Sequence, residues 1–429
     1  MTEKYTIAVW AGNGIGGTEK AAVLYAVELA RRGHRTIFLC PPGPRDKTLK
    51  IGHVRQVDPP SHPATLADFL KAEQVDVVHQ HVPGYPMPTP IYPALQLLGE
   101  SRPHLIETNV FGRMEDPESD QWVDCRCFVS RASGVQAFQR SRRILNSAGL
   151  KSTTVLFNPL AEIDRVLPLQ RHRAEIRSEL GVQPEEIFIL RLGRPGNKWN
   201  RNEVHVFQQA RRQEPRLRML LMEPPPDIWR EVEAGQWGEG IILRPTLSDF
   251  EKISAIYTSG DLMLHMPDWG ESYGYTIAEA MQQGLPLIVN STPWGDNAQV
   301  ELVEHGVTGF VCNSCEGAAH GLLELARSLE LRRNFGTAAK ERIRGLSDLS
   351  GEVDLLEEIM RHLVGDRPLQ KMIARNRELL QFQTTFAARE RRVLEQEVPG
   401  LKVAYLKGRC YQAYRGFRAK IRQWKQNRR

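Results

Sequence analysis

The chain has 429 residues, 41% of them hydrophobic and 7% aromatic, with 34 Gly and 27 Pro; this is a globular composition at two- or three-domain length and excludes a stapled mini-scaffold or a wholly disordered chain. No stretch approaches the roughly 18 to 20 apolar residues of a membrane-spanning helix, and the opening MTEKYTIAVW carries an acid and runs into a strand rather than a leader, so a cytosolic protein is expected. The net charge of +6 is uneven: ten basic residues and no acidic one lie in 401–429, leaving residues 1–400 at −4, which argues against nucleic acid as a partner and confines any affinity for an anionic surface to the tail.

Short β-branched runs alternate with helical patterns from the start. Tyr5–Trp10 reads as a strand, Thr18–Arg32 as a helix, and Thr36–Cys40, Val75–His79, His104–Thr108, Cys127–Ser130 and Thr153–Phe157 as further strands. Such alternation predicts parallel strands with crossover helices. It breaks at Asn158–Leu160 and at a charged helix near Arg171–Leu180. It resumes with strands at Ile187–Leu192, Arg218–Met222, Gly240–Arg244, Asp261–His265, Pro286–Asn290 and Gly309–Cys312. The expected fold is therefore α/β, with two Rossmann-like doubly wound domains, 1–165 and 166–365, facing a cleft in which ligands bind.

After Gly365 the strand signals stop, and Arg367–Glu397 reads as a charged helix ended by Pro399-Gly400. Beyond it Val403, Leu406, Cys410, Tyr414, Phe417, Ile421 and Trp424 recur at steps of three and four among the ten cations. Residues 366–429 are thus expected to form a helical basic amphipathic tail, with 401–429 suited to an anionic membrane surface. Cys125-x-Cys127 and Cys312-x-x-Cys315 are spaced like halves of a zinc site, but they lie about 190 residues apart, and reduced thiols are expected instead.

Gly12-Asn13-Gly14-Ile15-Gly16-Gly17 follows a strand and opens a helix, which satisfies G-x-G-x-x-G in its required context. Bare glycine backbone and a positive helix end let any phosphate approach, so a dinucleotide, another phosphate ligand and a merely tight turn all remain open. A nicotinamide cofactor would call for an acid at the end of the second strand to hold a ribose, but that strand runs into Leu39-Cys40-Pro41-Pro42 with no acid before Asp46.

The stretch Asp261–Asn290 encodes a strand, a glycine turn, a short helix and another strand. Gly274, Tyr275 and Thr276 begin the helix and present free amides to an anion, while Glu271 at the turn and Glu279 inside the helix can accept hydrogen bonds from ligand hydroxyls. Read singly, Glu271 is a helix cap and Glu279 a solvated acid. Arg194 and Lys198 follow the first strand of the same domain and could neutralise a diphosphate at the same sheet edge.

GGTE at Gly16–Glu19, LGR ending at Arg194 with Lys198 beyond it, and ESYGYTIAEAMQQGLP with seven residues between Glu271 and Glu279 together resemble the retaining GT-B glycosyltransferases of the family 4 type. The resemblance extends from about Tyr5 to Leu363 and includes VDVVHQH and VEHGVTGFV. It implies a nucleotide-sugar donor held mainly by the second domain and a saccharide or lipid-linked acceptor held by the first, as in cell-surface glycan or lipopolysaccharide synthesis. Arg194 and Lys198 would hold the diphosphate, the amides of Gly274, Tyr275 and Thr276 the phosphate and sugar, Glu271 the sugar hydroxyls and Glu279 the ribose. Gly16 and Gly17 would close over the phosphates, with Arg194, Lys198 and Glu271 the catalytic set.

The resemblance further implies retention of configuration with no protein nucleophile. The chain has no Asp-x-Asp, so neither a metal nor another cofactor is expected. Where this family has a histidine after the fourth strand, the chain reads IETNVFGR; Asn109 stands there and can bond a sugar but cannot act as a base. His79, His81 and Asn109 are the acceptor-side candidates. Two further readings stand beside this one: a non-catalytic nucleotide-sugar-binding, membrane-associated protein, and a nicotinamide-dependent oxidoreductase. The expected location is the cytoplasm, with peripheral attachment to the inner face of the cytoplasmic membrane.

Overall fold

A computed structural model describes residues 3–12, 14, 16–41, 54–84, 89–114, 120–160, 169–193, 198–247, 250–293 and 295–396. Arg194 and the basic segment 401–429 lie outside the described residues. The first half carries β1 (Thr6–Trp10), β2 (Arg35–Leu39), β3 (Arg55–Val57), β4 (Val77–Val82), β5 (His104–Asn109), β6 (Cys125–Phe128) and β7 (Thr153–Val155). They pair in parallel in the order β3-β2-β1-β4-β5-β6-β7. The second half carries β8 (Ile187–Leu192), β9 (Leu217–Met222), β10 (Ile241–Arg244), β11 (Leu262–His265), β12 (Leu287–Val289) and β13 (Gly309–Val311), parallel in the order β10-β9-β8-β11-β12-β13. The expected strands are all present. The edge strand β3 is not among the expected ones, because three residues, none of them buried, give too short a run to read.

Helices cover both faces of each sheet, and this explains why β8, IFILRL, is buried at all six positions. Those of the first half are α1 (Gly17–Arg31), α2 (Pro63–Ala72), α3 (Ile91–Leu98) and α4 (Arg131–Ser141). In α1, Ala21, Ala22, Leu24, Tyr25, Ala26 and Leu29 form the buried stripe, spaced as a helix needs to turn one face to a sheet. The second half adds α5 (Leu169–Glu179), α6 (Asn202–Arg211), α7 (Pro226–Glu233), α8 (Phe250–Ser259), α9 (Tyr275–Gln282), α10 (Gln299–Leu302), α11 (Cys315–Arg327) and α12 (Leu329–Leu346).

The last two helices, α13 (Leu349–Gly365) and α14 (Gln370–Gln396), return to the first sheet. Val353, Leu356, Ile359 and Met360 of α13 share a buried cluster with Ile7, Val9 and Tyr25, while Leu379 and Phe386 of α14 pack with Phe128 and Phe138. The boundary expected at residue 365 therefore falls between two helices on the same domain. Glu358 fixes their corner by accepting the backbone N–H groups of Lys371 (3.0 Å) and Met372 (2.9 Å).

The halves meet along a continuous apolar seam, in which Phe128, Val129 and Val135 of the first share a cluster with Tyr273, Ile277 and Ala278 of the second. Polar bonds line it: Ser130 Oγ donates to Ser272 O at 2.6 Å, and the buried Glu301 carboxylate accepts from Arg131 Nε (2.8 Å) and Ala132 N (2.9 Å).

Candidate active site

In each sheet the strand order reverses at one point, between β1 and β4 in the first and between β8 and β11 in the second. Loops leaving such a switch point on opposite sides open a crevice at the carboxyl ends of the strands. The glycine loop follows β1, the segment with Lys198 follows β8, and the Glu271 turn follows β11.

The glycine loop is packed around a carboxylate of its own helix. Gly16 caps α1 and its N–H donates to Glu19 Oε2 at 3.1 Å, while a Cβ at Gly12 or Gly14 would stand only 3.0 or 3.1 Å from Glu19 Oε1. Gly17 meets the other domain: a Cβ there would lie 2.7 Å from the Tyr275 ring. These glycines thus permit close approach, two of them to an internal carboxylate and one across the cleft. With Glu19 accepting the Gly16 amide, and Cys40 and Pro41 rather than an acid following β2, the nicotinamide reading loses its support.

On the second domain, Gly274 caps α9 with φ of 97°, a left-handed conformation that glycine adopts without strain. The first amides of α9, at Tyr275 and Thr276, have no intrahelical acceptor, which makes this end electropositive. Glu271 stands just before it. Its carboxylate accepts from Lys198 Nζ (2.9 Å) and bonds His265 Nε2 (3.0 Å), and its N–H donates to Gln299 Oε1 (3.0 Å). Burial pushes the Glu271 carboxyl up, but the Lys198 charge and the His265 bond outweigh it and hold the group down at about 2. Burial and the Arg191 charge keep His265 below its ordinary range, against the opposing pull of Glu271.

Glu279 lies one turn into α9. Tyr257 Oη donates to it at 2.8 Å, and Lys20 of α1 reaches across from the first domain to pair with it. The structure so gathers Gly16, Gly17, Lys198, Glu271, Gly274, Tyr275, Thr276 and Glu279 around the positive end of α9. Arg194 lies outside the described residues, between Gly193 and Lys198.

The acceptor-side candidates read differently. His79 and His81 sit beneath α1 with ring centroids 4.3 Å apart, each against the Tyr25 ring, and both are closed from solvent. Burial drives His79 down to about 3 and His81 well below its usual value, with the neighbouring His79 adding to the effect, so both are neutral core rings rather than bases at the cleft. Asn109 is used to brace its own loop: its Nδ2 donates to Glu107 Oε1 (3.1 Å) and Arg113 O (2.8 Å), and its Oδ1 accepts from Arg113 N (3.1 Å).

Four participants escaped the sequence reading. Lys20, Tyr257, His265 and Gln299 carry no motif, and the signal available was one misplaced charge, because a lysine in the first turn of a helix opposes the helix dipole. The cysteine pairs lie in different sheets, Cys125 and Cys127 in β6 and Cys312 beyond β13, and the described cysteines form no disulfide.

The family model for "Glycosyl transferases group 1" matches residues 234–342, which span α9 and both glutamates. That stretch is similar to a group 1 glycosyltransferase domain. The chain is 24% identical over 362 residues to N-acetyl-alpha-D-glucosaminyl L-malate synthase of Bacillus anthracis, covering 77% of this chain and 89% of that protein. Among solved structures, a glycosyltransferase of Rickettsia africae superposes with a TM-score of 0.68 at 17% identity, over 85% of this chain and all of that one (100%). Anabaena HepE in complex with UDP and glucose does so with a TM-score of 0.67 at 15% identity, over 83% and 99%. The two-sheet fold is GT-B, as the glycosyltransferase resemblance implied. Among the described residues no helix is long and apolar enough to cross a membrane.

Proposed function

We propose that this glycosyltransferase retains configuration and moves a sugar from a nucleoside diphosphate donor on the second domain to a saccharide or lipid-linked acceptor on the first. The observation that carries the reading is the set around the end of α9: a positive helix end flanked by Glu271 and Glu279, with Lys198 bonded to the former. That set complements a ligand that is anionic in its middle and carries hydroxyls on both sides. Glu271 takes the sugar hydroxyls, Glu279 the ribose, and Lys198 with Arg194 the diphosphate. As the sugar–phosphate bond breaks, negative charge grows on the leaving oxygen, and prearranged cations and amides stabilise it more than they stabilise the donor. The acceptor hydroxyl attacks from the face the diphosphate leaves and passes its proton to the departing phosphate. UDP and glucose in the Anabaena relative and the glucosaminyl product of the Bacillus relative favour a nucleotide sugar as donor. The absence of Asp-x-Asp from the sequence favours transfer without a metal. The tail 401–429 would hold the enzyme at the inner membrane face, beside a lipid-linked acceptor.

A thermal-shift screen of uridine, guanosine and adenosine diphosphate sugars tests the reading, since a ligand that binds only the folded state raises its stability. One of them should stabilise the chain, and the same donor should release its nucleoside diphosphate to an acceptor in excess EDTA. Stabilisation without turnover on any acceptor would favour the binding-protein reading; activity restored only by manganese or magnesium would expose a metal site.

A further inference from the structure

Lys20 is the fourth residue of α1, where a cation opposes the helix dipole, and its ammonium leaves its own domain. It pairs with Glu279 and lies 5.2 Å from the centroid of the Tyr275 ring. Tyr275 is the first residue of α9, the helix whose end is assigned to the diphosphate. The two charged side chains are only 12% and 14% exposed. A structural salt bridge this sheltered costs desolvation on both ions and is a weak device for stability alone.

The same arrangement recurs on the other side of that helix end, where Lys198 is bonded to Glu271. Each carboxylate assigned to neutral hydroxyls of the donor is thus paired with a lysine. A donor brings hydroxyls that can satisfy the carboxylates but cannot neutralise them, together with a diphosphate that needs cations. Exchange meets both needs: the ribose hydroxyls take over the hydrogen bonds of Glu279, and Lys20 turns to a diphosphate oxygen, where more negative charge is gathered. Tyr257 Oη, 2.8 Å from Glu279, holds the carboxylate in place through the change.

We propose that Lys20 is a donor-binding residue supplied by the first domain, paired with Glu279 until the donor enters and then transferring to the diphosphate. The proposal rests on Glu279 as the ribose ligand. Its consequence is selectivity for charge: a bare nucleoside has to displace Lys20 from Glu279 and offers nothing in return, whereas a nucleoside diphosphate supplies the lysine with a new partner.

Calorimetric titration of the full chain tests it, using uridine, guanosine and adenosine and their 5′-diphosphates against wild type, Lys20→Met, Lys20→Gln, Lys20→Arg and Glu279→Ala. Thermal unfolding first establishes which variants are folded, and Lys20→Gln, which can still bond Glu279, replaces Lys20→Met if the latter is not. Loss of the lysine should weaken binding of the preferred diphosphate about ten- to a hundredfold, the worth of one charge-assisted bond, while the matching nucleoside binds as well as to wild type or better. Lys20→Arg should keep most of the diphosphate affinity. Equal weakening of nucleoside and diphosphate would make Lys20 a structural bridge and overturn the proposal. So would unchanged diphosphate affinity in Lys20→Met while Glu279→Ala still loses it, an outcome that leaves the ribose assignment standing. Unchanged affinity in Glu279→Ala, or no binding of any of the six probes to wild type, would overturn the ribose assignment and the exchange together.

Discussion

Arg191→Met probes how the second domain holds the segment that carries Lys198. Neither Arg191 nor Glu203 has exposed side-chain surface. The guanidinium Nε donates to Glu203 Oε2 at 2.7 Å, its two amino groups bond Leu192 O (2.5 Å) and Lys198 O, and its plane covers the Trp199 ring at 4.1 Å. The other Glu203 oxygen accepts the N–H of Met266, at the end of β11. One buried pair therefore ties together the ends of β8 and β11, from which the site is built. Removing the arginine strands a dry carboxylate, which costs about 3–5 kcal/mol. At about 2–4 °C per kcal/mol for a domain of this size, Tm should fall by roughly 6–20 °C. Pairing Arg191→Met with Glu203→Leu removes the stranded charge and should recover part of that loss, so the two substitutions are not additive. Donor affinity should stay weak in the double variant, because Lys198 O has lost its anchor. Thermal unfolding of the two single variants and the double variant, with nucleotide binding alongside, makes the comparison. A single variant within about 1 °C of wild type, or strict additivity, would refute the reasoning.

The His79–His81 pair predicts a pH dependence: the native rings stay neutral while each unfolded histidine takes a proton below about 6.5, so stability is full above that value and declines as pH falls, for His79 down to about 3. The slope should reach about 1.4 kcal/mol per pH unit for each ring, and urea midpoints that do not move between pH 7.5 and 5 would contradict neutral burial. Glu279→Ala should weaken donor binding, while Arg194→Ala should chiefly slow transfer, by about a hundredfold, in steady-state kinetics with saturating acceptor; wild-type turnover in Arg194→Ala would remove that residue from the site. A chain ending at Gly400 should bind donor normally but fail to sediment with vesicles containing anionic lipid, where the full chain sediments and is released by high salt; equal sedimentation of both would rule out the tail as anchor.

The two sheets were legible because buried parallel strands are dense apolar runs, and one such run survives almost any misjudged boundary. The Glu271–Glu279 spacing was legible because both residues lie on one short turn-and-helix segment. The partners of those residues were not. Lys20 meets Glu279 across a sequence separation of 259, and Gln299 and His265 reach Glu271 from separate elements, so no local pattern records the contacts. The amphipathic pattern of α13 shows that one face is buried but not which sheet it covers, and only the structure places Val353 and Met360 against Ile7. Asn109 is ambiguous for a related reason: its position at the end of β5 is common to a sugar ligand and to a loop brace, and its bonds to Arg113 show the brace.

The chain passes between domains at Leu160 and again at Ser347, and the two passages touch: Leu160 N donates to Ser347 O at 3.4 Å, and Tyr273 Oη bonds Ser347 Oγ. Tyr275, two residues further and at the positive end of α9, donates its hydroxyl to Pro159 O at 3.0 Å while its ring bears on Gly17. The segment that would grip the donor is thus bonded to the crossing on one side and packed against the glycine loop on the other. On the proposed donor placement, a shift of α9 toward the diphosphate would bear on both contacts, and through them on the relative position of the two sheets.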